Sequence, residues 1–316
     1  MSGKRKRSRI VFVQEIVQID EEEGAFIAKL SPDPRRYEWK EVNGERYLYD
    51  KLDDVLFPRK ALFDLVKEME GCPVYLQPRE IENHEQYVQK RAPLIRARLK
   101  SEEHIAVSED KSEAFLEPLT DRKLGFGIMV VDIVGSTKLS TKLNSTKYSK
   151  LISTTLFEMS EIIPRFHGHV LKYTGDGLIA YFPEPSLVTK DDPAIECALA
   201  VRRLVYNVLN PLFEKEGYPR IDIRIGLDSG EAHVVTIGSP KTKRHQDIIG
   251  EVVNLTTKIQ SVGSPGDIAL GDVKEKSLHR KWREKFEEIK LGREWVYKDE
   301  NGKPYRVHRV KLTSMN

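Results

Sequence analysis

Cysteine is nearly absent. Cys72 and Cys197 are the only two in 316 residues, and they stand far apart without a metal-ligand pattern. That excludes a disulfide framework and a thiolate metal cluster. Long apolar runs are missing as well: no stretch approaches the roughly 18–20 residues a bilayer span needs. The opening "MSGKRKRSR" lacks the apolar stretch of a signal peptide. Nor does charge of one sign dominate. Lys and Arg number 52 and Asp and Glu 49, leaving +3, which makes no whole-protein electrostatic case for a nucleic-acid or membrane partner. The expectation is a cytoplasmic chain with no membrane partner and with nucleic acid disfavoured. The basic run Lys4, Arg5, Lys6, Arg7 and Arg9 has no interleaved aromatics, so it reads as a solvated tail rather than a nucleic-acid arm.

What is present is an ordinary globular balance, 39% hydrophobic and 32% charged. "YEWKEVNGERYLYD" carries Asn43-Gly44 between alternating segments, a hairpin signal. Pro58 is expected to open a helix with Ala61, Leu62, Leu65, Val66 and Met69 on one stripe, closed by Gly71. A charged helical stretch follows over about 81–103. Residues 104–123 show no clear period and read as a connector, which places a domain boundary near residue 120. Beyond it the pattern becomes regular. "FGIMVVDIVG" is a nearly continuous apolar strand. Tyr148, Ile152, Thr155, Met159 and Ile163 recur at helical spacing. "HVLKYTG" and "LIAYF" form a hairpin, "IDIRIGLDSG" and "AHVVTIG" read as two strands, and "VVNLTTKIQSV" reads as a helix. His167 and His169 read as turn residues. Strands that alternate with helices but are also joined by hairpins define an α+β fold, a mixed sheet with packed helices.

Two carboxylates stand out. Asp132 ends the apolar strand and is followed by "IVGST"; Asp176 sits between Gly175 and Gly177 at a hairpin tip. A hairpin needs no carboxylate at its tip. Two such groups delivered by neighbouring β-elements can hold two divalent cations on one triphosphate, because paired-metal phosphoryl transfer needs hard oxygen ligands on a rigid frame. Gly135, Ser136 and Thr137, at a strand end and helix start, can donate backbone N–H groups to phosphate oxygens.

"VVDIVGST", "LKYTGDG", "RIGLDSGE" and "QDIIGEVVNLTTKI", in that order, resemble the four landmark stretches of the class III nucleotidyl (adenylate and guanylate) cyclase catalytic domain. The resemblance covers about residues 121–312. It implies a ferredoxin-like, palm-type mixed sheet with packed helices over 121–316, preceded by an N-terminal α+β extension over 1–120. It also implies a phosphorus–oxygen lyase that turns a nucleoside triphosphate into a 3′,5′-cyclic nucleotide and pyrophosphate. Asp132 and Asp176 would be the metal carboxylates, assisted by the Ile133 carbonyl, for two divalent cations, Mg²⁺ or Mn²⁺. Arg224 would bind phosphate and Asn254 would orient the ribose. Lys258 departs from the family's usual arginine. It shares a helix face with Asn254 but cannot reproduce a planar fork, a difference worth about tenfold in rate, or about 1.4 kcal/mol.

Lys172 and Asp247 match the family's two base-reading positions. A lysine donor beside an aspartate acceptor selects a base that presents an amino group next to a ring acceptor, as adenine and cytosine both do; uracil fits the pair poorly. Both adenylate and pyrimidine cyclase readings stay open, with a lean to the latter. Stand-alone bacterial cyclases similar to this one include the pyrimidine cyclases of Pycsar anti-phage systems, which make cyclic CMP or cyclic UMP for a separate effector. The resemblance further implies a homodimer with shared active sites, Asp132 and Asp176 of one chain facing Lys172, Asp247, Asn254 and Lys258 of the other. A silent cyclase domain that binds nucleotide and regulates a partner is the rival reading.

Overall fold

The computed structural model describes residues 12–20, 25–51, 54–60, 62, 84–100, 111–184, 192–239, 241–272 and 285–311. They belong to two compact units, one formed by Met1–Leu76 and the other by most of the chain from Gln77 onward. The basic run at residues 4–9 and Cys72 lie outside the described residues.

In the first unit, β1 (Phe12–Asp20) and β2 (Ala25–Pro32) pair antiparallel. A three-stranded meander follows: β3 (Tyr37–Val42), β4 (Glu45–Asp50) and β5 (Val55–Pro58). Asn43 and Gly44 turn β3 into β4 with φ of 54° and 78°, the left-handed pair that a two-residue hairpin requires. Arg36 donates to the fully buried Asp50 at 2.6 and 2.9 Å. Pro58 closes β5 as the register partner of Tyr47 rather than opening the expected helix; Arg59 and Lys60 are helical, and most of the helix expected up to Gly71 lies outside the described residues.

The second unit is built on a mixed sheet whose described order is β12-β13-β11-β9-β6-β8-β7, with β10 pairing β9. Here β6 is Lys123–Ile133, β7 His169–Tyr173, β8 Gly177–Glu184, β9 Ile223–Gly238, β10 Arg244–Ile249, β11 Ile268–Gly271, β12 Phe286–Glu288 and β13 Val307–Val310. The apolar run of β6 lies at the centre, paired antiparallel with β8 on one side and β9 on the other. Its composition suits a strand buried on both faces.

Helices cover both sides of the sheet. Two helices precede it, α1 (His84–Lys100) and α2 (Lys111–Leu116). Five more follow within it: α3 (Ser136–Lys142), α4 (Ser145–Ile162), α5 (Asp192–Leu204), α6 (Asn210–Lys215) and α7 (Glu251–Val262). Met129, Val131 and Ile133 of β6 and Ile225 and Leu227 of β9 share one apolar core with α4 and α5. Alternation then sends Asp132, Arg224 and Gly226 to the opposite face, where α7 packs. α1 joins the first core through Ile95 and Leu99, and its Arg91 donates to the buried Glu158 of α4 at 2.8 and 2.7 Å. Among the described residues, no helix is long and apolar enough to cross a membrane.

Three further expectations change. The segments "IDIRIGLDSG" and "AHVVTIG" form one continuous strand, β9, because β6 pairs with it without a break from Ile223 to His233. Gly230 is there for close approach, not for a turn: a methyl carbon at that position would lie 3.0 Å from Cβ of Val252 on α7. The expected connector contains α2 and a 3-10 turn at Glu117–Leu119, with Phe115, Leu116 and Leu119 buried; elements this short leave no readable period. His169, expected in a turn, lies in β7, its ring stacked between Phe115 (4.6 Å) and Tyr181 (5.0 Å). His167 is a turn residue, with φ of 58° after a 3-10 segment.

Gly226 is the closest approach of sheet to helix near Asp132. A Cβ there would lie 2.6 Å from Cβ of Gln260 and 2.7 Å from the Gln260 nitrogen and the Thr256 carbonyl oxygen. Two of these are backbone atoms of α7 and cannot move away alone. Gly226→Ala is therefore expected to cost about 1–3 kcal/mol of stability, read as a lower Tm; an unchanged Tm would show that α7 can lift off the sheet freely.

Candidate active site

The site begins with register. Asp132, the penultimate residue of β6, is the Cα partner of Gly177 on β8 and of Arg224 on β9. Gly177 must be small, because a Cβ there would meet the Val131 carbonyl oxygen at 2.3 Å. Asp176 precedes it in a turn closed by Thr174 N–H donating to the Gly177 carbonyl (2.9 Å), with Gly175 at φ 89°. One central strand end thus gathers two carboxylates and a guanidinium.

Electrostatics agree with that grouping. Burial pushes the Asp132 carboxyl above the ordinary carboxylate range and the Asp176 charge pushes it further, while Arg224 pulls the other way. Two like charges held close, with hard oxygen donors, fit a divalent cation between them. Ile133 has its side chain sealed in the core, so only its backbone carbonyl is on offer. Arg224 donates from Nη2 to Asp132 Oδ2 (3.1 Å) and from Nη1 to the Ser261 carbonyl (3.3 Å). Its Nε is buried with no acceptor. Gln260, in the last turn of α7, favours the Asp132 charge, yet its buried Nε2 reaches no acceptor at hydrogen-bond geometry. The influence of Gln260 is therefore that of a nearby amide dipole, short of a formed bond.

Beyond β6 the chain turns at Gly135 with φ of 70°, and α3 starts at Ser136 without a side-chain cap. The N–H groups of Ser136 and Thr137 have no acceptor within the helix. A side chain at Gly135 would meet nothing within 4 Å, so the approach to this turn is open.

A second group forms elsewhere in the same chain. Lys172 on β7 and Asp247 on β10, 75 positions apart, meet with Nζ 2.5 Å from Oδ2. Asp247 is buried, whereas the Lys172 side chain keeps 40% of its exposure. The other Asp247 oxygen, Oδ1, accepts the N–H of Ile248 (2.8 Å). Asn254 and Lys258 lie one turn apart on α7 and are exposed, and among the described contacts neither side chain bonds within the chain. The structure thus brings Asp132, Asp176 and Arg224 together and joins Lys172 to Asp247, while Asn254 and Lys258 face outward. Gln260 and His245 were not singled out from sequence. The one signal for each is its offset: Gln260 is two residues past Lys258, and His245 two before Asp247 on a strand.

A palm-like sheet with paired carboxylates at its central strand end defines a class of nucleotide-handling domains. Residues 121–308 match the adenylate and guanylate cyclase catalytic domain, and the chain belongs to that family. Domains of this family use divalent metal ions and work as dimers. The chain is similar to a cytidylate cyclase of Staphylococcus aureus, 30% identical over 172 residues, which is 52% of this chain and 39% of that protein. It is also similar to an adenylate cyclase of Anabaena cylindrica, 27% identical over 43% of this chain and 26% of that protein. It spans well under half the length of either relative. The adenylyl cyclase CyaB of P. aeruginosa shares the fold, with a TM-score of 0.51 at 23% identity over 60% of this chain and 94% of that one.

Proposed function

We propose that the protein is a nucleotidyl cyclase that forms a 3′,5′-cyclic nucleotide and pyrophosphate from a nucleoside triphosphate, with a preference for CTP. The observation that carries the reading is the register of Asp132 against both Gly177 and Arg224. In it, Asp132, Asp176 and the Ile133 carbonyl would hold two divalent cations, Mg²⁺ or Mn²⁺. Metal bound there supplies charge neutralisation at the triphosphate and a more acidic ribose 3′-hydroxyl. The Ser136 and Thr137 N–H groups and Arg224 bind phosphate oxygens. Asn254 orients the ribose so that its 3′-oxygen attacks the α-phosphorus as the bond to the bridging oxygen breaks. Lys258 places positive charge beside the transferring phosphate. The acceptors and donors come from two chains of a homodimer, residues 121–316 forming the catalytic domain, with α1 and α2 of the segment before it in the same compact unit.

Lys172 and Asp247 read the base. The lysine donates to a ring nitrogen and the aspartate accepts from the neighbouring amino group, so cytosine and adenine fit the pair and uracil fits it poorly. The similarity to a cytidylate cyclase favours CTP, and a cyclic-nucleotide-activated effector is the partner this product implies. The similarity to an adenylate cyclase makes ATP the second reading. Incubating the protein with an equimolar mixture of the four NTPs and Mn²⁺, followed by mass spectrometry, should give cyclic CMP as the main product, and EDTA should abolish it. Cyclic AMP as the main product would transfer the assignment to ATP; no cyclic product from any nucleotide would end the enzyme reading in favour of a silent, regulatory domain.

A further inference from the structure

Lys172 and Asp247 meet across a gap that the sheet does not bridge. Among the described strands, β7 ends the order and pairs with β8, whereas β10 pairs with β9. No backbone ladder among them joins β7 to β10. The contact between Lys172 Nζ and Asp247 Oδ2 closes the distance, but that ammonium must be shared with a base when one is read. The pair's own bond therefore cannot be what fixes the two strands. A site that holds a base from both sides needs its supports set to a fraction of an ångström by other packing.

That packing comes from α2, which rests on both β7 and β10. On the β7 side, the His169 ring lies between Phe115 of α2 and Tyr181 of β8, with planes within 27° and 13° of parallel. The Tyr181 hydroxyl donates to the Ser112 carbonyl of α2 (3.1 Å), and Phe115 and Tyr181 are both buried. On the β10 side, the Thr120 hydroxyl reaches Oε1 of Gln246 (3.3 Å), which also accepts from Thr236 of β9 (3.1 Å). Gln246 is the residue before Asp247. A bulge completes the arrangement. His169 pairs with Tyr181, Val170 with Ala180 and Lys172 with Ile179, so Leu171 is left over. Tyr181 and Ile179 share a face of β8, which puts His169 and Lys172 on one face as well; in a regular strand they would point oppositely. The ring stack thus bears on the face from which Lys172 reads.

We propose that Phe115 is a positioning residue for base reading: stacked on His169, it ties β7 to α2 and so holds Lys172 at the distance from Asp247 at which one base meets both. This deepens the base-reading role given above to Lys172 and Asp247 and rests on it. Phe115 touches no reacting atom. Without its ring the two strands drift, and bound nucleotide draws them back, so the loss falls on binding and not on the chemical step.

Substitutions on both sides of the stack test this. Phe115→Leu keeps apolar volume and removes the ring, and Phe115→Tyr keeps the ring. Steady-state kinetics should show KM for CTP raised about fivefold in Phe115→Leu, the scale of one aromatic pair, with kcat within about twofold and Phe115→Tyr close to the parent. A merely structural loss would lower the active fraction, and so kcat, and leave KM alone. His169→Thr removes the same stack from the strand and should raise KM alike, while His169→Phe should not; these two carry the test if Phe115→Leu does not fold. An unchanged KM in Phe115→Leu and His169→Thr, a fall in kcat as large as the rise in KM, or a Phe115→Tyr no better than Phe115→Leu would each overturn the proposal. Lys172→Ala in the same assay separates the two layers. It should raise KM for CTP, and adding Phe115→Leu to it should raise KM no further; effects that add in full would place Phe115 outside base reading. If Lys172→Ala leaves KM unchanged, the base-reading role itself fails; if it raises KM while Phe115→Leu and His169→Thr do not, the inference about Phe115 fails alone.

Discussion

Asp132→Ala is expected to lower kcat by at least about 10³-fold, some 4 kcal/mol of transition-state stabilisation, while the protein stays folded. The substitution removes one of the two carboxylates at the end of β6 and leaves Arg224 without its Asp132 partner (3.1 Å), so neither metal nor phosphate would be held as before. The scaffold has little to lose, because the Asp132 side chain is 28% exposed and the core is formed by its neighbours Val131 and Ile133. Asp132→Asn sharpens the test. Burial and the Asp176 charge raise the Asp132 carboxyl in the folded chain, so folding disfavours its charged form. That cost is absent below the carboxyl's ordinary range, where folded and unfolded chains are both protonated, and is present in full once pH exceeds the raised value. Asparagine at this position should therefore keep or raise Tm at neutral pH, with the difference vanishing in acid, while cyclic nucleotide formation is lost. Pyrophosphate release with Mn²⁺ and thermal unfolding measured on the same samples decide it. Activity within tenfold of the parent protein would remove Asp132 from the site.

The pairing of a strand-end carboxylate with a glycine-flanked one could be read from the sequence because local chemistry makes it odd: neither the β6 strand nor the β7–β8 turn needs a charge. Most elements of the second unit were readable for a related reason, since long apolar strands and helices such as α4 carry enough period to declare themselves. Short elements did not. The single turn of α2 hid in an aperiodic stretch, and its role became visible only through Phe115 stacking on His169. Glycine misled at Gly230, where Ser229-Gly230 looks like a turn and is in fact the place where Val252 presses on β9. What no single-sequence pattern carries is distance across the fold. The meeting of Lys172 with Asp247 was available only through family resemblance, and the placement of Gln260 beside Asp132 and of His245 beside Asp247 depends on how α7 and β10 settle on the sheet. Those are packing outcomes, set by contacts between residues many positions apart.

The second large effect concerns which chain completes which site. Asn254 and Lys258 are exposed on α7 and bond to nothing described within their own chain, whereas the Asp132 group is assembled within one chain. In the shared-site dimer, every site takes Asp132 from one protomer and Asn254 from its partner. Asp132→Ala and Asn254→Ala should each abolish turnover when present in both protomers. A heterodimer isolated with two affinity tags, one protomer carrying Asp132→Ala and the other Asn254→Ala, gathers both lesions into one site and leaves the other whole. It should recover about half of the parent activity per dimer, a rise of more than about 100-fold over either parent variant. The converse pairing, a doubly substituted protomer with an unaltered one, breaks both sites and should be inactive. If each protomer instead builds its own site, the outcomes exchange: the first heterodimer is dead and the second keeps half. The two tagged species are identical in composition and differ only in how two alanines are distributed, so stability and folding cancel and the pattern of activity reports the geometry of the site directly.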